Sequence, residues 1–168
     1  SFNGSVVESV TAEGNFKTGE TFVSLTDLKM GISETEVRGD LHLEGLDELL
    51  RLDFSLAAST LNLDEMIPDA LRSPTDAFEW LSLSPLMALG ISAQGFLTIG
   101  TFQSGGLVFE DLTVPIVADG NQVAASPVTA NLYGGAMRID TVARGDSENL
   151  DFITRQRFTG VSAGRMLE

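Results

Sequence analysis

Few side chains in this chain are of the types that carry out nucleophilic, acid–base or metal chemistry. The 168 residues include no cysteine and a single histidine, His42. Thiol catalysis, iron–sulfur clusters, disulfides and cysteine-ligated zinc are therefore excluded. His42 lies between Leu41 and Leu43 in an alternating run. This pattern is typical of a strand residue that faces solvent, and it gives no support to a catalytic base.

Adjacent carboxylates are the remaining candidates for acid–base chemistry. Asp47–Glu48 and Asp64–Glu65 are such pairs. Neighbouring residues of a strand point to opposite faces, so the two acids of a pair do not converge on one substrate. Neither pair lies in a calcium-loop pattern. We therefore predict that the protein is not an enzyme and that it holds no metal and no cofactor.

The charge of the chain limits its partners. Lys and Arg total 10 against 24 Asp and Glu, which gives a formal net charge of −14. A negative field repels phosphate backbones, so we expect no nucleic-acid partner. Hydrophobic residues make up 43% of the chain, which is typical of a folded domain. No apolar run approaches the roughly 18 residues that a membrane-spanning helix needs.

The segment Leu-Tyr-Gly-Gly, residues 132–135, allows two readings. A phosphate-binding loop places its glycines between a strand and a helix, with a lysine nearby. Here an alternating strand follows, and no lysine occurs after Lys29. We therefore predict a tight turn or bend with at least one glycine at positive φ, between a strand ending near Tyr133 and one containing Met137.

The elements that position these side chains are β-strands. Apolar and polar residues alternate with period two, and turns rich in Gly, Asn and Asp separate the runs. We predict a mainly β fold, an antiparallel and strongly curved sheet that is taco-like or a half-barrel, with its acidic side chains facing outward. Nine residues of the alternating runs are the candidate lining of an apolar groove: Leu50, Leu52, Phe54, Leu56, Leu112, Val114, Ile116, Met137 and Ile139.

The alternation is interrupted around residues 64–90. Ser73 followed by Pro74, with Asp76 close behind, is a typical helix start, and Gly90 is a typical stop. We predict a short helical insertion in this region.

The two halves of the chain look like two copies of one plan, in which Asp27 aligns with Asp111. We expect one β-rich domain, residues 1–168, that is a fragment of a larger protein. The predicted copies are residues 1–67 and 91–168, separated by the helical segment 68–90.

Five segments carry a resemblance to a known family. They are STLNLDEMIP (59–68), GFLTIG (95–100), EDLTV (110–114), SPVTANLYGGAMRID (126–140) and FTGVSAGRML (158–167). The last four resemble the C-terminal domain of the AsmA family of bacterial envelope proteins, and the first resembles the segment that precedes it. The resemblance covers the chain from about residue 37 to its end.

Membership of this family implies a protein anchored in the inner membrane by an N-terminal helix, with its bulk in the periplasm and a role in outer-membrane biogenesis and phospholipid transport. Members are similar to bridge-like lipid transporters, in which a long β-sheet curls into a groove for phospholipid tails. These 168 residues contain no apolar run long enough for such an anchor and are too few to bridge an envelope, so we expect the anchor in the full-length protein. Both departures fit a fragment.

Two functions remain open. The first is a non-enzymatic segment that holds phospholipid acyl chains along an apolar β-groove, with other envelope proteins as further partners. The alternative is a structural or interaction β-sandwich module without a ligand, in which the nine residues form an ordinary core. A groove and a core have the same alternation. An open apolar sheet would favour the first function, and two sheets packed together would favour the second.

Overall fold

The computed structural model of the chain describes residues 10–32, 35–45, 50–62, 92–119, 122–145 and 150–162. Nearly all of these residues lie in β-strands, and none lies in a helix. The strands are β1 (Val10–Thr18), β2 (Phe22–Ile32), β3 (Thr35–Glu44), β4 (Arg51–Asn62), β5 (Ser92–Ser104), β6 (Leu107–Asp119), β7 (Gln122–Leu132), β8 (Gly135–Gly145) and β9 (Leu150–Thr159). The predicted mainly β fold is confirmed.

All nine strands belong to one sheet, and their order in the sheet is their order in the chain. Neighbouring strands are antiparallel except for β4 and β5, which are parallel. The prediction of an antiparallel sheet is therefore wrong at this pair. Parallel neighbours cannot be joined by a tight hairpin, and residues 63–91 connect these two strands. The helical insertion predicted around residues 64–90 lies outside the described residues.

The sheet is open, with β1 at one edge and β9 at the other. Extensive contacts join only strands that are neighbours in the sheet. The described part of the chain is thus a single layer. Eight of its eleven buried apolar residues form two clusters on one face. The first is Ala58, Ile99, Leu112, Ala130 and Met137, and the second is Ala93, Ala118 and Val123.

Two β-bulges lie at the positions that the proposed repeat aligns. Asp27 and Asp111 have φ values of 54° and 53°, and each lies at a register shift between its strand and a neighbour. Each carboxylate accepts a hydrogen bond from an asparagine, Asn15 at 2.9 Å and Asn131 at 3.0 Å. These bonds help to hold a left-handed conformation that costs most residues about 1–2 kcal/mol. The two-copy plan itself stays a prediction.

The Leu-Tyr-Gly-Gly segment forms the β7–β8 hairpin. Leu132 pairs with Gly135, so Tyr133 and Gly134 form a two-residue loop, with φ values of 47° and 79°. Positive φ at both loop residues is typical of a type I′ turn, whose twist matches that of the flanking strands. The predicted tight turn with a glycine at positive φ is confirmed. The left-handed conformation of Tyr133 was not predicted.

Gly135 is required for a different reason from Gly134. A Cβ atom at Gly135 would lie 2.3 Å from the backbone nitrogen of Val161 and 2.5 Å from the carbonyl oxygen of Thr159. We expect Gly134→Val and Gly135→Val each to lower the free energy of unfolding by about 1–3 kcal/mol, through backbone strain and a backbone clash respectively. Tyr133→Phe should change it by less than about 0.5 kcal/mol.

Urea denaturation of the three variants of this hairpin checks both statements. The assignment of the turn would be wrong if Gly135→Val cost as little as Tyr133→Phe.

Candidate functional site

One face of the sheet is apolar from edge to edge, and we call it the apolar face. The pairing register arranges its residues in rows that run across the strands. One row crosses all nine strands: Thr18, Val23, Leu43, Leu52, Ala93, Ala118, Val123, Ala143 and Phe152. A parallel row contains three residues of the larger buried cluster and crosses five strands without a break: Met30, Val37, Ala58, Ile99 and Leu112.

The residues predicted to line a groove come together on the apolar face. Leu112 and Met137 are 7% and 6% exposed, and both belong to the larger buried cluster. The seven others are partly exposed: Leu50, Leu52, Phe54, Leu56, Val114, Ile116 and Ile139. The apolar face is therefore core in some places and accessible surface in others.

Three exposed phenylalanines that sequence reasoning missed extend this face to both edges of the sheet. Phe16 on β1 is 68% exposed, and Phe152 and Phe158 on β9 are 56% and 50% exposed. Each lies opposite a residue of the apolar face on the neighbouring strand. Phe152 and Phe158 are an even number of residues apart, which indicates that they lie on the same face of β9. Thr154 and Gln156 interrupt the apolar alternation between them and obscure this signal.

The middle of the apolar face depends on the absence of a side chain at Gly95. A Cβ atom there would lie 2.1 Å from the carbonyl oxygen of Phe54 and 2.6 Å from Cγ of its ring. The ring of Phe54 thus packs directly on the backbone of β5. On the neighbouring strand β6, Ile116 is the cross-strand partner of Gly95.

The opposite face of the sheet carries both polar and apolar side chains, and the outward orientation of the acidic side chains stays a prediction. One of its rows reads Ser24, His42, Asp53, Gln94, Val117, Ala124, Val142 and Ile153. Polar residues occupy this row from β2 to β5, and apolar residues occupy it from β6 to β9. At this level, strands β6 to β9 therefore carry apolar side chains on both faces of the sheet.

A depression of about 820 Å³ lies on the opposite face over strands β2 to β6. Its lining includes His42, Asp53 and the exposed ring of Phe96. His42 lies opposite Asp53, and its ring centroid is 5.7 Å from that of Phe22. In the described ranges, no three His, Cys, Asp or Glu side chains are grouped so that they could hold a metal ion. The acid pairs Asp47–Glu48 and Asp64–Glu65 lie outside those ranges.

Asp140 is the one described residue with a resolved shift in its pKa. The hydroxyl of Ser126 donates a hydrogen bond to this carboxylate, and the guanidinium of Arg138 lies 3.3 Å from it. These contacts, the first being the larger cause, lower the pKa of Asp140 below its ordinary value. A lowered pKa means that the contacts stabilise the folded state above the ordinary pKa of Asp, and that this stabilisation is lost as the pH falls through the lowered value.

Removing the hydroxyl of Ser126 tests this cause. We expect Ser126→Ala to raise the pKa of Asp140 towards its ordinary value, because the carboxylate loses its strongest hydrogen-bond donor. The pKa is measured by a ¹³C NMR titration of the carboxyl carbon. An unchanged pKa in the variant would assign the shift to Arg138 instead.

A comparison of the chain with family models, with curated proteins and with solved structures finds no match. The AsmA resemblance accordingly rests on the segments quoted above. Within the described residues, no helix has the length and apolar character that crossing a membrane requires.

Proposed function

We propose that this chain is a non-enzymatic periplasmic segment of a larger AsmA-like protein, and that it holds phospholipid acyl chains on its apolar face. The larger protein in this proposal is anchored in the inner membrane and takes part in outer-membrane biogenesis and phospholipid transport. The observation that supports acyl-chain binding is that the described residues form an open sheet of one layer, whose apolar face reaches both edges. Contiguous exposed apolar surfaces of this kind are rare in soluble proteins unless they bind something.

The chemistry of the apolar face suits a hydrocarbon chain. Burial of each CH₂ group contributes about 0.8 kcal/mol, and it requires no polar partner. Strands β5, β6 and β7 contain 13, 13 and 11 residues. At about 3.3 Å per residue they extend about 36–43 Å. One acyl chain extends about 15 Å, half the thickness of a bilayer core, so it fits along a strand or across three to four strands.

Strong curvature of the sheet is part of the proposal. Register shifts occur in the β1–β2, β2–β3, β6–β7 and β7–β8 pairs. A β-bulge bends its strand and increases the local twist. Because bulges occur in both halves of the sheet, we expect a curved surface that wraps around an acyl chain, and not a flat one.

The alternative function, a β-sandwich module without a ligand, has less support. A sandwich requires a second sheet packed about 10 Å from the first. In the part of the chain that the structure describes, all strands belong to one sheet.

Photo-crosslinking from two adjacent positions tests the proposal. Ile116 packs against the smaller buried cluster of the apolar face, and Val117 is the next residue of the strand and lies on the opposite face, so the pair forms its own matched control. A photoreactive amino acid is placed at one position or the other, and the protein is irradiated with vesicles of a labelled phospholipid. We expect crosslinks to lipid from position 116 and few from position 117. Equal crosslinking from both positions, or none from position 116 in a folded protein, would refute acyl-chain binding.

A further inference from the structure

Three arginines lie together on the opposite face, next to the β9 edge. Arg138 lies directly opposite Arg157, and Arg155 lies directly opposite Asp140. Like charges at directly opposed positions of neighbouring strands destabilise a sheet. Together with Gln156, these four side chains line a depression of about 600 Å³.

The positive charge of this cluster is only partly compensated. Asp140 forms an ion pair with Arg138. Among the residues that the structure describes, neither Arg155 nor Arg157 forms an ion pair. The chain has only 10 basic residues against 24 acidic ones, so three guanidinium groups around the single carboxylate of Asp140 mark a local reversal of its charge.

We propose that Arg138, Arg155 and Arg157 bind a phosphate-type oxyanion. A guanidinium group donates two parallel hydrogen bonds to such an anion and keeps its charge at any physiological pH. An adjoining depression is lined by Arg138 and Arg157, by Thr129 and Thr159, whose hydroxyls are further donors, and by Asp111 and Asn131. A bound anion would relieve the repulsion between Arg138 and Arg157.

The net charge of −14 does not prevent this binding. At physiological ionic strength, charges separated by more than about 8 Å are largely screened. The guanidinium groups within contact distance of the anion therefore decide its affinity. Two carboxylates on the same part of the sheet already have partners: Asp111 accepts a hydrogen bond from Asn131, and Asp151 lies opposite Arg144.

Free phosphate and the phosphodiester of a lipid head group share this chemistry. The arginine cluster lies on the face opposite to the apolar face, so anion binding does not require acyl-chain binding. Probes without acyl chains consequently test the cluster independently of the proposed function.

The experiment is an NMR titration of the arginine side-chain Nε–H signals of the whole chain. The probes are sodium phosphate, glycerophosphoglycerol as a head group without acyl chains, and sodium chloride at matched ionic strength. We expect saturable shifts of the Arg138, Arg155 and Arg157 signals with phosphate, with the phosphodiester or with both. The signal of Arg144, whose Nε–H donates to Gln122 at 2.8 Å, should change little.

Two variants complete the test. Arg157→Gln should weaken the response about tenfold or more, since it removes a charge-assisted bidentate contact, whereas Arg144→Gln should leave it unchanged. Because Arg157 is exposed on an edge strand, we expect its variant to stay folded, and the backbone amide spectrum verifies this.

The titrations distinguish a free-phosphate site from a head-group site and from no anion site. Saturation by phosphate alone assigns the site to free phosphate, and saturation by the phosphodiester assigns it to a head group. The proposal would be overturned if phosphate, the phosphodiester and chloride all produced the same non-saturating shifts. It would also be overturned if Arg157→Gln and Arg144→Gln bound the anion with equal affinity.

Discussion

Gly95→Ala is expected to lower the free energy of unfolding by about 3 kcal/mol, at the upper end of the range for adding a methyl group to a packed site. The new Cβ atom would lie 2.1 Å from the carbonyl oxygen of Phe54, a backbone atom that cannot move without disturbing β4. The clash falls in the parallel β4–β5 pair, which joins the first four strands to the last five. The variant should also displace the ring of Phe54 from the middle of the apolar face.

Gly31→Ala is the matched control for this substitution. Its added Cβ atom would come close only to the hydroxyl of Thr11, at 2.8 Å, and this flexible side-chain end can rotate away. We expect a change of less than about 0.5 kcal/mol for the control. Guanidinium denaturation of both variants compares them, and equal costs would contradict the close approach of β4 to β5 at Gly95.

The second large effect is expected for lipid capture when Phe54 and Ile116 are both replaced by aspartate. The two side chains lie on either side of Gly95 in one row of the apolar face, and both are partly exposed. Their replacements keep access to water, so we expect the domain to stay folded. A carboxylate in contact with hydrocarbon is strongly unfavourable, and capture of a phospholipid with a photoactivatable acyl chain should fall about tenfold or more, which corresponds to about 1.4 kcal/mol.

Val117→Asp is the control for the double variant, since it adds a carboxylate next to Ile116 but on the opposite face. It should leave lipid capture unchanged. Circular dichroism and the unfolding midpoint verify the fold of each variant. An unfolded double variant would identify these residues as core, because an unpaired buried charge costs about 3–5 kcal/mol. Unchanged capture in a folded double variant would exclude both residues from a lipid surface.

The strands and their faces were the part of the fold that the sequence could predict. Alternation in β4, β6 and β8 is clear because one apolar side chain every second residue has no other simple explanation. The β7–β8 turn was also predictable, since a Gly-Gly pair between two alternating runs has few other uses.

The parallel β4–β5 pair could not be predicted from local patterns. Strands that pair in parallel or antiparallel register have the same alternation, and the difference depends on the path of residues 63–91 between them. The bulges at Asp27 and Asp111 were hidden for a related reason. An extra residue in one strand changes the pairing of that strand with its neighbour, and the composition of the segment gives no sign of it.

The arginine cluster was hidden because it is a product of register. Arg138 belongs to β8, and Arg155 and Arg157 belong to β9. Only the pairing of these two strands brings the three residues onto one surface, and a shift by one residue would move the β9 arginines to the apolar face. From the sequence alone, the net negative charge was the more prominent feature.

Native mass spectrometry of the protein purified from a bacterial envelope tests the central claim most directly. We expect wild-type protein to retain phospholipid masses that survive gentle ionisation, and we expect the folded Phe54→Asp, Ile116→Asp double variant, purified in parallel, to have lost them. Lipid-free wild-type protein, or the same lipid content in the folded double variant, would contradict an acyl-chain-binding apolar face.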